Sequence, residues 1–358
     1  RQRQMCIRDR RCLQKDPSRR LQSIGDARIA LQEWLENPEA EEAATAPTTT
    51  AQGWTRWLPW AVAVAAGLIG IAIGATLLGT APENAEPPRR LEIAVTDREF
   101  FVGVGSSIAL SPDGNTLATV VGDGSATEIW LRPFDRLEGN RVAVGAGGDA
   151  PYQPFFSPDG EWLGYVTPAE LKKVPATGGA PITLCPVQRS RGASWGPDDT
   201  IVIAAGARAG LSLVPAAGGE LQPLTTVNEE QGEATHRWPQ FLPGGKAVLF
   251  TAAARDIGEF DQASLEVVDV ESGERKVVHR GGTYGRYVAS GHIVYIESET
   301  LFALPFDVAS LEATGSPVPV IEGVTTSTTE GGAQYDASVT GSLVYVSGGL
   351  GAPVYPVL

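Results

Sequence analysis

His236, His279 and His292 are the only histidines in the chain, and no two of them stand at a spacing that lets one element present both to a metal ion. Each is read as a structural or surface residue. Cys6, Cys12 and Cys185 are the only cysteines; the first two are separated from the third by a long apolar run, so they supply no disulfide framework. Cys185, in Thr183-Leu184-Cys185-Pro186, reads as a small buried apolar residue. No Gly-x-Ser-x-Gly elbow is present, and Gly103-Val104-Gly105 lacks the third glycine and the helix of a dinucleotide loop. Asp113, Asp159 and Asp198 lie in tight turns, where a carboxylate accepts hydrogen bonds from nearby amides. The remaining candidates are Trp130, Trp162, Trp195 and Trp238. They are first of all core fillers between stacked sheets, with the alternative that some line the mouth of a central channel and touch a ligand there. No catalytic, cofactor-binding or metal-ligating residue is expected in this chain.

These residues sit in a repeat. Six times between Ser111 and Ser347 an apolar run, a tight turn and a second apolar run follow one another. The turns are Ser111-Pro112-Asp113-Gly114, Ser157-Pro158-Asp159-Gly160, Gly196-Pro197-Asp198-Asp199, Leu242-Pro243-Gly244-Gly245, Ser290-Gly291-His292 and Thr340-Gly341-Ser342, recurring at intervals of 46, 39, 46, 46 and 50 residues. Such a period with strand-like segments predicts a mainly β fold, a β-propeller of about six four-stranded blades with the last one truncated. In the second blade the pattern places strands at Trp162 to Val166, Leu171 to Pro175 and Pro181 to Cys185. Five blades are expected to be complete, and Gly341 to Leu358 to begin a sixth. Leu91 to Thr96 is expected to close the ring against a late blade.

Upstream, no charged side chain occurs from Trp57 to Pro82, and Leu58 to Gly79 is dominated by Ala, Val, Ile, Leu and Gly. As a helix that run reaches about 33 Å, enough to cross a bilayer core. Trp54, Trp57 and Trp60 crowd one end as interfacial anchors do. A single transmembrane helix is therefore expected over residues 57–79, flanked by linkers at 37–56 and 80–90. The flanking charges do not fix its orientation: Arg56 stands on one side, Arg89 and Arg90 on the other. Ala66, Gly70 and Gly74 share one helix face, and small residues at that spacing favour homodimerisation through the helix.

Residues 1–36 carry nine Lys or Arg against five acids, whereas the rest of the chain holds 19 bases and 37 acids. An acidic propeller is poorly suited to nucleic acid. Ile24, Ala27, Leu31, Trp34 and Leu35 form one apolar helical face after the capping pair Ser23 and Asp26, as at the end of a larger domain.

The run Cys12-Leu13-Gln14-Lys15-Asp16-Pro17-Ser18-Arg19-Arg20-Leu21 resembles the last stretch of the large lobe of bacterial eukaryotic-like Ser/Thr protein kinases, a Leu-x-x-Asp-Pro-x-x-Arg pattern. In that family the arginine at the position of Arg20 pairs with the Glu of an Ala-Pro-Glu motif. The resemblance implies that 11–36 is the end of a kinase lobe and 1–10 a non-native tail. Pro154-Phe155-Phe156-Ser157-Pro158-Asp159-Gly160, the pair Val174-Pro175-Ala176-Thr177-Gly178-Gly179 and Val214-Pro215-Ala216-Ala217-Gly218-Gly219, and His236-Arg237-Trp238-Pro239-Gln240-Phe241-Leu242-Pro243 are similar to the TolB-like, or PD40, ectodomains of receptor-type members, so the resemblance covers most of 91–358. It implies a parent in the bacterial inner membrane, N-terminus cytoplasmic and propeller periplasmic or extracellular, that uses ATP and Mg. It also implies a periplasmic ligand or protein partner for the propeller. The Gly-rich loop, Val-Ala-Ile-Lys strand, His-Arg-Asp loop and Asp-Phe-Gly of the family do not occur in these 358 residues, so the chain as it stands cannot phosphorylate. The alternative is a non-enzymatic, membrane-tethered propeller that binds envelope proteins or ligands.

Overall fold

The structure is a computed structural model that describes residues 100–348, apart from 124 and 255–259. The chain divides into two units, Arg1–Arg89 and Arg90–Leu358. The kinase-like segment with Arg20, the apolar run with Ala66, Gly70 and Gly74, and the strand expected at Leu91 to Thr96 all lie outside the described residues. Among the described residues, no helix is long and apolar enough to cross a membrane.

Five antiparallel sheets follow one another along the second unit. The first comprises β1 (Ile108–Leu110), β2 (Thr116–Gly122), β3 (Ala126–Pro133) and β4 (Asn140–Ala146). The second comprises β5 (Tyr152–Phe156), β6 (Trp162–Val166), β7 (Glu170–Pro175) and β8 (Ile182–Pro186). The third is β9 (Ala193–Trp195), β10 (Thr200–Ile203), β11 (Ser212–Pro215) and β12 (Gln222–Pro223). The fourth is β13 (Glu233–Phe241), β14 (Ala247–Ala254), β15 (Ser264–Asp269) and β16 (Arg275–Arg280). In the fifth, β17 (Thr283–Val288), β18 (His292–Glu297) and β19 (Thr300–Asp307) are followed by β20 (Glu312–Ala313) and β21 (Val318–Ile321), which both pair with β19. Two hairpins complete the described chain: β22 (Thr326–Ser327) with β23 (Gly332–Ala333), and β24 (Tyr335–Ala337) with β25 (Leu343–Tyr345).

Each sheet is a blade, and burial follows from the stacking of blades face to face. The second strand of a blade is covered on both faces, so β14 is buried at every position but its last and reads as one apolar run. The third strand of blade one, β3, alternates between buried and more exposed positions, whereas β15 in blade four is buried at four successive positions. Outermost strands such as β8 and β21 are largely exposed. One apolar cluster fills each gap: Leu131 with Leu163 between blades one and two, Leu171 with Ile203 between two and three, and Val202 with Phe250 between three and four. Leu249 with Ile293 fills the gap between four and five. Each such side chain contributes about 1.5–3 kcal/mol by burial. Cys185 belongs to the second of these clusters, 3% exposed, and burial pushes its thiol up. The turn aspartates behave as expected of them: Asp113 accepts from the Asn115 amide at 3.0 Å and Asp159 from that of Glu161 at 2.9 Å.

The inner strands form a closed ring in the order β1, β5, β9, β13, β17, β24 and back to β1. Among the described residues five blades are complete, as expected, where the whole propeller is expected to have about six. The sixth turn organises the hairpin β24–β25, and the rest of the expected sixth blade, 349–358, lies outside the described residues. The hairpin nevertheless closes the circle on blade one through polar contacts. The Ser107 amide donates to Gln334 Oε1 (2.7 Å), Gln334 Nε2 donates to the Gly105 carbonyl (2.7 Å), and the Leu110 amide donates to Asp336 Oδ2 (2.8 Å). Asp336→Ala leaves the Leu110 amide unpaired and is expected to lower stability by roughly 1–3 kcal/mol. Asp336→Asn retains an acceptor and should lose less than half of that; urea denaturation of the two variants measures both.

Candidate binding site at the mouth of the channel

The inner strands carry a repeated backbone irregularity that shapes the channel. Seven residues before the aligned turn positions Gly160, Asp199, Gly245 and Gly291 stand Gln153, Gly192, Trp238 and Tyr284, in blades two to five. All four take positive φ: 50°, 101°, 55° and 56°. In blades two, four and five the strand register breaks at this point. For Trp and Tyr the left-handed conformation is strained, at a cost of order 1–3 kcal/mol each, and it persists only where the surroundings dictate it. Here the bulged amides find partners across the blade gaps: Gly192 on Gln153 Oε1 (3.0 Å), Trp238 on the Arg191 carbonyl (2.7 Å) and Tyr284 on Thr251 Oγ1 (3.1 Å).

Trp238 stands across the channel. It is 1% exposed, its ring centroid lies 5.6 Å from that of Tyr284, and a Cβ placed on Gly105 would fall 2.6 Å from its Cζ3. Gly105 precedes β1, the strand opposite β13 in the ring, so the indole spans the axis. A glycine is required at 105 by this approach and by its φ of 82°. The indole Nε1 is buried without a hydrogen-bond partner. Toward the turn end of the channel, Arg286 lies over the Tyr284 ring at 4.0 Å and donates to the Trp238 carbonyl at 3.0 Å.

Five residues before the turn, at the opposite end of the strands, blades two to four present Tyr152, Arg191 and Arg237. The two arginines are 9% and 10% exposed, and both reach one carboxylate: Arg191 Nε donates to Glu330 Oε2 at 3.0 Å and Arg237 Nη1 at 3.1 Å. Arg237 Nη1 also donates to the Glu330 carbonyl (2.9 Å), its Nε to Thr235 Oγ1 (3.0 Å) and its Nη2 to the Ala207 carbonyl (3.3 Å). Its guanidinium rests on the Phe260 ring at 4.5 Å. Burial, then the neighbouring Arg191, pulls Arg237 down to about 10, with Glu330 opposing. Burial pushes the Tyr152 hydroxyl up, against the charges of Arg191 and Arg189. Beside Tyr152 opens an apolar cleft lined by Phe101, Val104, Pro151 and Pro168. The mouth can thus take a carboxylate next to an apolar group.

The four sequence-selected tryptophans do not gather. Trp130 is on β3 with Nε1 donating to Glu128 (2.9 Å), and Trp162 is on β6 under the Lys173 ammonium (4.4 Å). Trp195 is buried between blades two and three, 6.4 Å from Phe155. Trp238 alone of the four lies in the channel. The arginine pair was missed, although aligning the repeats on their turns puts Arg191 and Arg237 at one position; Glu330 carries no such signal.

One further constellation imitates a catalytic row. Thr225 Oγ1 accepts from the Leu211 amide (2.8 Å) and hydrogen-bonds His236 Nδ1 (2.7 Å), while His236 Nε2 lies 3.0 Å from Glu233 Oε1. His236 is fully buried and Thr225 is 7% exposed, which leaves a substrate no approach to the hydroxyl. The row fastens blade three to blade four. His279 bonds to the Tyr295 hydroxyl and His292 to the Ser290 carbonyl (both 2.9 Å), so the three histidines stay apart. Among the described residues no three His, Cys, Asp or Glu side chains gather as a metal site.

No protein-family model matches the chain, and no curated protein matches it. Solved structures do. A putative TolB from Agrobacterium tumefaciens superposes with a TM-score of 0.50 at 16% identity, over 67% of this chain and 90% of that one. The fold is that of a TolB-like β-propeller. TolB from Acinetobacter baumannii gives a TM-score of 0.47 at 13% identity over 64% of this chain, which spans 55% of that protein. At such identities the likeness to TolB is one of fold, and function has to be argued from the mouth.

Proposed function

We propose that the TolB-like propeller is a binding module, the sensor or scaffold part of a membrane-anchored protein, and that the channel mouth is its recognition face. One observation carries this reading: two nearly buried arginines from adjacent blades converge on a single carboxylate at the open end of a plugged channel, in a chain whose net charge is −14. Charge-assisted donors of this kind bind a carboxylate strongly because they are already oriented and desolvated. Selection of displayed peptides against the full chain should yield binders that lose at least tenfold in affinity on Arg191→Ser with Arg237→Ser. Binders equally tight on that variant would contradict the reading.

The parent we propose is a receptor-type Ser/Thr kinase, on the resemblance of residues 11–36 and the apolar run that follows. Binding at the propeller would then bias pairing of the membrane helices through Ala66, Gly70 and Gly74. Gly70→Leu with Gly74→Leu is expected to abolish dimers in a membrane association assay; unchanged dimers would remove that step. A non-enzymatic envelope-binding propeller uses the same mouth without the kinase.

A further inference from the structure

Glu330 does not come from a blade. It lies in the tip of the hairpin β22–β23, between Ser327 and Gly332, a tight turn closed by the Gly331 amide on the Ser327 carbonyl (2.7 Å) and laid over the mouth. The tip is held at four points: the Phe260 amide donates to the Thr328 carbonyl (3.0 Å), Thr283 Oγ1 to the Gly331 carbonyl (2.8 Å), and the two arginines hold Glu330. Arg237 Nη1 addresses both the carboxylate and the main-chain carbonyl of that one residue. The pocket therefore already binds a peptide, and the peptide is its own.

Resting on the reading of the mouth as the recognition face, we propose that the Ser327–Gly332 tip is a tethered stand-in for the ligand: the mouth recognises an acidic peptide segment, and Glu330 is an internal competitor that such a segment displaces. Exposure gives the exchange its asymmetry. The arginine side chains are 9% and 10% exposed, whereas that of Glu330 is 34% exposed, so the carboxylate is the member that solvent reaches. An incoming Glu or Asp with its own carbonyl can make the same contacts on Arg191 and Arg237 without moving a blade. The cleft beside Tyr152, bounded by Phe101 and Val104, adds a place for an apolar neighbour that the tip sequence Ser-Thr-Thr-Glu-Gly-Gly does not supply. Tethering raises the effective concentration of the internal carboxylate to the millimolar range, so wild type should answer only to ligands that add contacts beyond the tip.

The test uses the full chain and two amidated, fluorescein-labelled peptides, Ser-Thr-Thr-Glu-Gly-Gly and its Gln counterpart. Glu330→Gln removes the competing charge, leaving a weaker neutral acceptor on the arginines, and is expected to bind the Glu peptide at least tenfold more tightly than wild type does, and at least tenfold more tightly than it binds the Gln peptide. Adding Arg191→Met and Arg237→Met to Glu330→Gln should return binding to the wild-type level, with the circular-dichroism melt confirming folding. If Glu330→Gln does not fold, Glu330→Asp serves instead, because its shorter side chain releases one arginine. Equal affinity of wild type and the Glu330 variant, or equal affinity for the two peptides, overturns the proposal. The binding-module reading fails separately, when displayed peptides prove indifferent to Arg191 and Arg237.

Discussion

Trp238→Ala is expected to cost roughly 3–5 kcal/mol, the range for removing a large aromatic side chain from a site that cannot collapse. The indole is 1% exposed and bridges the channel from β13 to Gly105 and Tyr284. Its neighbours belong to separate blades, each fixed by its own stacked sheets, so they cannot close over the vacancy. Relief of the left-handed φ at 238 returns about 1 kcal/mol at most, because alanine also disfavours that region. Urea denaturation should show the full loss. Trp238→Phe, which has no indole N–H to leave unpaired, should recover most of it. A loss below 1 kcal/mol for alanine would mean that the ring is held by its blade gaps alone and that the channel plug is incidental.

Arg275→Met is expected to lower stability by roughly 2–4 kcal/mol, somewhat under the figure for a fully buried pair because the guanidinium is 25% exposed. Arg275 holds two carboxylates of the fourth blade: Nη2 meets Glu233 Oε1 at 2.5 Å and Glu266 Oε2 at 2.8 Å. Burial alone would push the Glu233 carboxyl up. The Arg275 guanidinium, the Asn228 amide and His236 outweigh it and hold the group at about 2, below its ordinary 4.5. A carboxyl depressed in the folded state stabilises fully above 4.5, and that contribution fades as pH falls toward 2. His236 acts in a higher window. Burial, and then Arg275, lowers its folded value below the ordinary 6.5. The unfolded chain therefore takes up the proton first, and stability declines as pH drops below about 6.5 until the folded imidazole also protonates. Wild type should thus weaken in two stages on acidification, the first reduced in His236→Gln, with His279, which burial also lowers, supplying the remainder. Arg275→Met should bring the lower stage to higher pH, read from the midpoint of acid unfolding. An unmoved midpoint would show that Glu233 owes its low value to Asn228 and His236 alone.

The blades were legible because propeller stacking writes itself into residues one strand at a time. Trp162 to Val166 stands where the apolar run placed it, and its neighbours shift by one residue at their starts: β7 begins at Glu170 and β8 at Ile182. Turn chemistry at Ser-Pro-Asp-Gly fixed the hairpins for local reasons that need no tertiary context. The closing hairpin was less legible: β24 and β25 have three residues each, and their attachment to blade one runs through Gln334 and Asp336. Side chains bonding to main-chain groups more than 200 residues away leave no periodic trace. The site divides in the same way. Arg191 and Arg237 follow the repeat and could be aligned, whereas Glu330 lies in an insertion between repeats and meets them only in three dimensions. Tryptophan was a poor guide because stacked sheets and a channel mouth both favour large aromatics; only the backbone bulge at 238 tells the channel residue from the three others.

The proposed recognition face is the end of the channel bearing Arg191 and Arg237, and not the end bearing the Pro-Asp-Gly turns. Amide hydrogen exchange of the full chain with and without a selected peptide tests it most directly, since the two ends carry different, well-separated amides. Altered protection is expected at 189–192, 235–238 and 328–332, with the turns at 111–114, 157–160 and 242–245 unchanged. Protection confined to those turns, with the mouth unchanged, would contradict it.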